Sequence, residues 1–222
     1  MQLTTKLSAA LLLALGSSTA FAAEAVNSEH QISGNIAVLS SYNSRGMTNS
    51  PENDKVTIQG GLDYSHASGF YAGYWGSTIG YSLTDYDDEV GDYTGSDTFE
   101  HDFYLGYNGS INADWGYNLG AVYYYYYESD ADADALESVL GVNYKNLSLT
   151  AQTLWNDVNW GNTGDTYLLA SYSHPLPRDF TLNTSLGVSY YNDDTSKYFD
   201  TTEDFGFRHF TAGLSHPLGN TG

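Results

Sequence analysis

The chain has 222 residues, a length that fits one large all-β domain or two small ones. It contains 23 Gly and 21 Tyr but no Cys, and its 27 acids against 7 bases give a formal net charge of −20. Abundant Gly and Tyr favour strands and turns over helices. The absence of Cys excludes disulfides, Cys-based zinc sites and a thiol nucleophile, and the negative charge disfavours a nucleic-acid partner because it repels phosphates.

The first 22 residues are typical of a cleaved Sec signal peptide. Lys6 precedes an apolar run from Leu7 to Leu15, and Ala20 and Ala22 are small residues of the kind that a signal peptidase requires. We expect cleavage after Ala22, followed by a short periplasmic segment at residues 23–30. The alternative, a transmembrane anchor, requires about 20 apolar residues, and this run is much shorter.

Apolar and polar residues alternate from residue 31 onward, which is typical of β-strands with two different faces. For example, Val56, Ile58, Leu62 and Tyr64 alternate with Thr57, Gln59, Gly61 and Asp63. Most of the runs approach the roughly 9 to 11 residues that a tilted strand needs to cross a bilayer. The pattern predicts ten strands, at residues 31–42, 55–65, 70–78, 100–108, 115–127, 135–144, 147–155, 165–173, 180–191 and 205–215.

The connections between these strands alternate in length. Short turns such as 145–146 follow the even-numbered strands, and long segments such as 79–99 follow the odd-numbered ones. Most of the acidic residues lie in the long segments. This arrangement is typical of an outer-membrane barrel with periplasmic turns and external loops. The sequence therefore predicts an all-β fold, a transmembrane antiparallel up-and-down barrel over residues 31–222.

Aromatic residues give a separate indication of a membrane protein. Tyr64, Tyr107 and Tyr144 flank short turns, whereas Tyr42 and Trp155 approach long loops. Two aromatic belts are expected where such rings meet lipid headgroups. The alternative is a Tyr-rich soluble sandwich or lectin-like barrel, which explains neither the belts nor the unequal loops.

Three predicted strands end in a Ser-His dipeptide, which includes His66, His174 or His216. We interpret these histidines as turn residues at the periplasmic end rather than as metal ligands. After His216 the chain reaches Gly222 without the terminal aromatic strand that is usual in outer-membrane barrels. We therefore predict that a final hairpin follows and that the complete barrel has twelve strands.

Several segments of the first three strands resemble a known family. They are Ser33-Gly34-Asn35-Ile36-Ala37-Val38, Tyr42 with Arg45-Gly46, Gln59-Gly60-Gly61-Leu62-Asp63-Tyr64, and Ser68-Gly69-Phe70-Tyr71-Ala72-Gly73 with Trp75. Over residues 31–80 the chain resembles the TorF family of proposed porins, long grouped as conserved hypothetical proteobacterial proteins. The resemblance implies a signal peptide and an outer-membrane barrel, and it implies no catalytic residues.

If the apolar face contacts lipid, the polar face lines the lumen. Four charged residues are candidates for a selectivity site: Asp63, Asp102 and Glu137 on that face, and Arg45 at the upper end of the first strand, if its side chain points inward. An excess of acids in a lumen concentrates cations and repels anions, so we expect cation preference. For Arg45 the alternatives are a charge at a lumen constriction and an ordinary ion pair at the edge of a loop.

One long connection carries a dense acidic run, formed by Asp85, Asp87, Asp88, Glu89 and Asp92. Its oxygen density resembles that of a calcium site, but it lacks the spacing of an EF-hand loop. We favour a solvated acidic loop that divalent cations bridge to lipopolysaccharide. No cofactor and no catalytic constellation are expected, because the Ser-His dipeptides lie at turns without an orienting acid.

The sequence leaves three functions open. The first is a narrow, cation-preferring channel for ions or small solutes in the outer membrane of a Gram-negative bacterium. Its partners are membrane lipid, lipopolysaccharide and the machinery that assembles outer-membrane proteins. The second is a non-conducting structural or adhesive barrel whose lumen is plugged by Tyr71, Trp75 and Tyr104 and whose acidic loops are functional. The third is a periplasmic or secreted binding domain.

Overall fold

The computed structural model describes residues 29–47, 56–79, 86–87, 92–93, 99–127, 129, 132–193 and 200–217. The predicted signal peptide, with Ala20 and Ala22, lies outside these residues. The strands, in chain order, are β1 (His30–Leu39), β2 (Thr57–His66), β3 (Phe70–Thr78), β4 (Tyr86–Asp87), β5 (Asp92–Tyr93), β6 (Phe99–Ser110), β7 (Trp115–Tyr126), β8 (Ala135–Tyr144), β9 (Leu147–Leu154), β10 (Thr166–Pro175), β11 (Thr181–Tyr190) and β12 (Phe205–Ser215). The short strands β4 and β5 form a separate hairpin, and the other ten strands are long.

The ten long strands form one antiparallel sheet in which each strand pairs with its neighbours in the chain. This result confirms the prediction of an all-β, up-and-down arrangement of ten strands. The predicted strand boundaries agree with the observed ones to within about three residues, because the alternation marks each strand over most of its length. The β4–β5 hairpin was not predicted, since two-residue strands are too short to show an alternating pattern.

The sheet is not closed within the part of the chain that the structure describes. β1 and β12 are its two edges, and no backbone pairing joins them among the described residues. The β11–β12 ladder carries an irregularity between Gly187 and Val188, opposite Phe207 and His209. A bulge of this kind bends a strand and increases its twist. The predicted barrel therefore stays a prediction, although the sheet that it requires is present.

The two faces of the sheet have opposite character. One face exposes large apolar side chains along every long strand, including Ile36, Leu62, Leu105, Leu119, Leu140, Leu149, Leu186 and Phe207. The other face buries polar and aromatic side chains, including Gln59, Ser77, Glu100, Asp102, Tyr104, Glu137 and Tyr167. This is the reverse of a soluble sandwich, in which the apolar face forms the core.

A tight turn follows β1 and folds over the buried face. Ser44 and Met47 exchange two backbone hydrogen bonds, of 3.0 and 2.8 Å. Between them Arg45 and Gly46 both have positive φ, 51° and 76°, as in the type I′ turns that close two-residue hairpins. A Cβ atom at Gly46 would lie 2.7 Å from the Arg208 carbonyl oxygen and 2.7 Å from Cβ of His209 in β12. The segment after β1 thus contacts β12, although the two strands do not pair.

We predict that Gly46→Ala destabilises the fold, because the methyl group meets the β12 backbone at a residue whose φ disfavours any side chain. The expected loss is about 1 to 3 kcal/mol in the free energy of unfolding, measured by urea titration of tryptophan fluorescence in detergent. Gly213→Ala is the matched control, since its Cβ would meet no atom within 4 Å. Equal stability of the two variants would show that the turn does not pack on β12.

Candidate functional site

Five residues form a buried polar group on the inner face of the sheet, near the end with the long connections. This interior cluster consists of Arg45, Glu100, Asp102, Tyr124 and Glu137. Strand pairing places Asp102 of β6 beside Tyr124 of β7 and Glu137 of β8 beside Val122 of β7. Alternation along each strand turns all four side chains of β6, β7 and β8 to the same face. The three acids are at most 2% exposed.

Arg45 reaches this face from the turn after β1 and binds Glu137 with both ends of its guanidinium. Nη1 donates to Oε1 at 2.8 Å and Nη2 donates to Oε2 at 2.6 Å. The Tyr124 hydroxyl completes the group, because it donates to Oε2 of Glu137 at 2.9 Å and accepts from Nη2 at 3.1 Å. Bidentate geometry of this kind is the strongest form of Arg–carboxylate contact.

The environment of Arg45 keeps it charged although its side chain is only 15% exposed. Burial by itself lowers the pKa of the guanidinium, but the charge of the Glu137 carboxylate and its hydrogen bonds to the guanidinium more than offset this effect. The pKa of Arg45 is therefore raised above its ordinary value. The guanidinium also lies over the ring of Tyr167 in β10, 5.0 Å from the centroid, where it gains a cation–π contact.

Glu100 and Asp102 lie on the same face of β6, two residues apart. The Tyr42 hydroxyl donates to Oε2 of Glu100 at 2.8 Å. Neither carboxyl oxygen of Asp102 accepts a hydrogen bond from a donor among the described residues, although both oxygens are buried. Asp102 interacts with the Glu100 carboxyl, and two carboxyl groups hydrogen-bond only when they share a proton. The buried pair therefore needs a proton or a cation.

Carboxyl groups outnumber basic groups in the interior cluster. Three carboxyl groups face one guanidinium, so the cluster carries a net negative charge when at least two of the carboxyl groups are ionised. Arg208 of β12 lies at the same end of the sheet, but it donates to the Tyr191 hydroxyl at 3.0 Å. Within the described residues, Arg45 is the cation that forms an ion pair with these acids.

Aromatic side chains fill the space around the cluster. Tyr71, Trp75 and Tyr104 are each less than 9% exposed. The Tyr104 hydroxyl donates a hydrogen bond to Asp63, and Tyr71 accepts one from Asn118 at 2.9 Å. Toward the short turns the same face becomes partly exposed at Asn143, Ser148, Thr150 and Asn183. The inner face thus has a packed layer near the long connections and an open region near the short turns.

The structure brings together three of the four candidates from the sequence, Arg45, Asp102 and Glu137. Asp63 lies apart from the ion pair, because its partner is Tyr104. Glu100 and Tyr124 were missed. Two signals in the sequence point to them, since Glu100 precedes Asp102 by two residues on the same strand, and Tyr124 alternates with the outward Tyr123.

The acidic run in the long connection adds no described side chain to the site. Asp85, Asp88 and Glu89 lie outside the described residues. Asp87 and Asp92 pair with each other in the β4–β5 hairpin, where only the backbone is described. The expected solvated acidic loop therefore stays a prediction.

We predict that Glu137→Gln destabilises the fold strongly, because it leaves the Arg45 guanidinium without its charged partner inside the sheet. Loss of one member of a buried ion pair costs about 3 to 5 kcal/mol. Asp114→Asn is the matched control, because Asp114 faces Lys145 at 3.8 Å with both side chains more than half exposed. Its expected cost is below about 1 kcal/mol. Equal urea midpoints for the two variants would contradict a structural role for the buried pair.

A family model described as a bacterial protein of unknown function (Gcw_chp) matches residues 22–220, so the chain belongs to that family. No match was found among curated proteins or among solved structures. Within the described residues, no helix has the length and apolar character to span a membrane.

Proposed function

We propose that this chain is an outer-membrane β-barrel of a Gram-negative bacterium that acts as a narrow, cation-preferring channel. It is exported by a cleaved Sec signal peptide, inserted by the outer-membrane assembly machinery, and surrounded by lipid and lipopolysaccharide. In this proposal the sheet closes into a barrel that brings β1 and β12 together. The resemblance of residues 31–80 to the TorF family of proposed porins is itself part of this proposal, because the family model that matches the chain carries no function.

The apolar outer face supports the membrane part of the proposal. Ile32, Val38, Leu62 and Phe207 are each more than 60% exposed, and they belong to a surface that continues across all ten strands. An apolar surface of this extent is rare on a soluble monomer. A lipid bilayer solvates such a surface, and the polar inner face then has no contact with lipid.

The interior cluster supports cation preference, and Asp102 carries the argument. Its two buried oxygens accept no hydrogen bond from a described residue unless the Glu100 carboxyl is protonated, and carboxylate oxygens are preferred ligands of hard cations. The surrounding acids exceed the available guanidinium, so the local potential is negative. Because the field of a buried charge is weakly screened, it raises the cation concentration along the lumen and lowers that of anions.

The proposed path of ions through the barrel has one narrow part. The open region near the short turns leads to the packed layer, where the side chains of Tyr42 and Arg45 enter the interior from the turn after β1. The contacts that hold this turn are polar or aromatic side-chain contacts rather than a strand ladder. In the proposed channel the turn after β1 forms the constriction. Ions pass when this turn moves away from Glu137.

One observation favours the second candidate function, a barrel with a plugged lumen. Around the cluster, Val122 is 1% exposed and Ser77 is not exposed, so this layer is close-packed in the described structure. If the layer does not open, the protein is a structural or adhesive barrel whose external loops are functional. The two candidates differ in one property, which is ion conduction.

The test is a planar-bilayer measurement of the full chain under a KCl gradient. We predict discrete openings with a reversal potential of cation sign. Asp102→Asn keeps the size of the side chain and removes its charge, so the reversal potential should move toward zero. Asp114→Asn removes one charge at an exposed ion pair outside the interior, and its reversal potential should stay at the wild-type value.

Two outcomes would contradict the channel. In the first, the folded protein inserts without conducting, and Arg45→Ala, which releases the turn from Glu137, does not conduct either. That result supports the plugged barrel. In the second, the protein conducts but prefers anions, or the Asp102→Asn variant has the same selectivity as the wild type. Either result would show that the interior cluster does not determine ion selectivity.

A further inference from the structure

Three potential metal ligands meet at the short-turn end of the sheet, away from the interior cluster. His30 at the start of β1 lies directly opposite His66 at the end of β2, and Glu29 precedes His30. One ligand atom from each of the three residues lies within 4.8 Å of the other two. Nε2 of His66 is 3.5 Å from Oε1 of Glu29, and the two imidazole rings are 4.9 Å apart between centroids.

Neighbouring hydroxyl groups orient both imidazoles. Nδ1 of His30 lies 2.8 Å from the Tyr64 hydroxyl, and Nδ1 of His66 lies 2.8 Å from Oγ of Ser68. When Nδ1 of His30 donates to the Tyr64 oxygen, Nε2 carries the lone pair and becomes the ligand. Metal-binding histidines in proteins are held in this way. Nδ1 of His66 also accepts a hydrogen bond from the Ser68 amide at 3.1 Å. Metal binding at Nε2 of His66 therefore requires the other tautomer, in which Nδ1 releases that amide and donates to Oγ of Ser68.

The backbone also holds the group in place. The Glu29 carbonyl accepts a hydrogen bond from the Ala67 amide at 2.8 Å, which extends the β1–β2 contact beyond the ladder. The Glu29 side chain is 71% exposed and that of His66 is 25% exposed. A hydrated ion can therefore approach from solvent.

We propose that Glu29, His30 and His66 bind one divalent transition-metal ion, with Zn²⁺ as the best fit. Two imidazoles and one carboxylate are a common protein ligand set for Zn²⁺, with water in the remaining position. At bond lengths of about 2.1 Å, two ligands of a tetrahedral ion are about 3.4 Å apart. In the observed arrangement Nε2 of His66 and Oε1 of Glu29 are already 3.5 Å apart, and the ligand atoms of all three residues lie within 4.8 Å of one another. The proposal goes beyond the channel function and does not depend on it.

Such a site has a structural consequence. β1 is an edge strand of the described sheet, and at its start it is joined to β2 by the ladder, by the hydrogen bond between Glu29 and Ala67, and by side-chain contacts. A bound ion would add a link between the two strands at the place where the ladder ends. Metal binding would then stabilise the edge strand by mass action.

The chain offers a matched control in the other Ser-His dipeptides. His174 also follows a Ser at the end of a strand, and its ring stacks on Tyr172 with Nδ1 3.2 Å from the hydroxyl. The residue opposite His174 is Leu182 of β11, so no second imidazole faces it across that pair. If His66 binds metal because of its neighbours, His174→Ala should have no effect.

The experiment is a calorimetric titration of the full folded chain with ZnCl₂, using protein purified without a histidine tag. We expect one Zn²⁺ per chain. His66→Ala and Glu29→Gln should each weaken binding by at least about tenfold, since loss even of an outer-shell partner costs about 10- to 100-fold. His174→Ala should bind like the wild type. Far-UV circular dichroism checks that each variant is folded, and Glu29→Gln keeps the size of an exposed side chain.

Two results would overturn the proposal. One is a wild-type chain that takes up no Zn²⁺ at micromolar concentrations. The other is uptake that His66→Ala and Glu29→Gln leave unchanged, or that His174→Ala weakens equally, because either pattern indicates binding by scattered surface groups.

Discussion

The ion pair between Arg45 and Glu137 connects the first turn of the chain to the middle of the sheet. Residues 45 and 137 are 92 positions apart in sequence, yet the guanidinium and the carboxylate share two hydrogen bonds. This contact holds the turn after β1 over the inner face and brings Gly46 against β12. The first and last strands therefore lie on the same side of the molecule without a backbone ladder between them.

Buried charges of this kind are costly, and their arrangement favours function over stability. A protein with apolar residues of similar volume in place of a buried ion pair is often equally stable or more stable. Here the group also contains Glu100 and Asp102, and the Asp102 oxygens accept no hydrogen bond from a described residue unless the Glu100 carboxyl is protonated. A fold that only needed a core would not keep that carboxylate. A cation or a proton that lies beside the Asp102 carboxylate during function would compensate its charge.

The alternation of apolar and polar residues in the sequence was sufficient to predict the strands and the two faces of the sheet. Ile58 and Leu62, for example, were assigned to the apolar set, and both are more than half exposed. The inward direction of Arg45 could not be deduced in the same way. It follows from the positive φ of Arg45 and Gly46, and an Arg-Gly pair in a loop adopts many turn types. Glu100 was overlooked because it is the first residue of the predicted strand 100–108 and directly follows the acidic connection.

The grouping of Glu29, His30 and His66 shows a second limit of the sequence. Each histidine alone is an ordinary turn or strand-end residue, and only the register of β1 against β2 places His30 opposite His66. A shift of one residue would turn these side chains to opposite faces. Register depends on cross-strand packing and turn geometry, which a single sequence does not specify.

In the proposed barrel the apolar face contacts lipid and the polar face does not. The chain has no Cys, so single cysteines can be labelled with a fluorophore without a background. Leu149 and Thr150 are neighbours on β9 that point to opposite faces. In vesicles of brominated lipid, we predict strong quenching of the label at Leu149→Cys and weak quenching at Thr150→Cys. Equal quenching at the two positions, or none at either, would contradict the account.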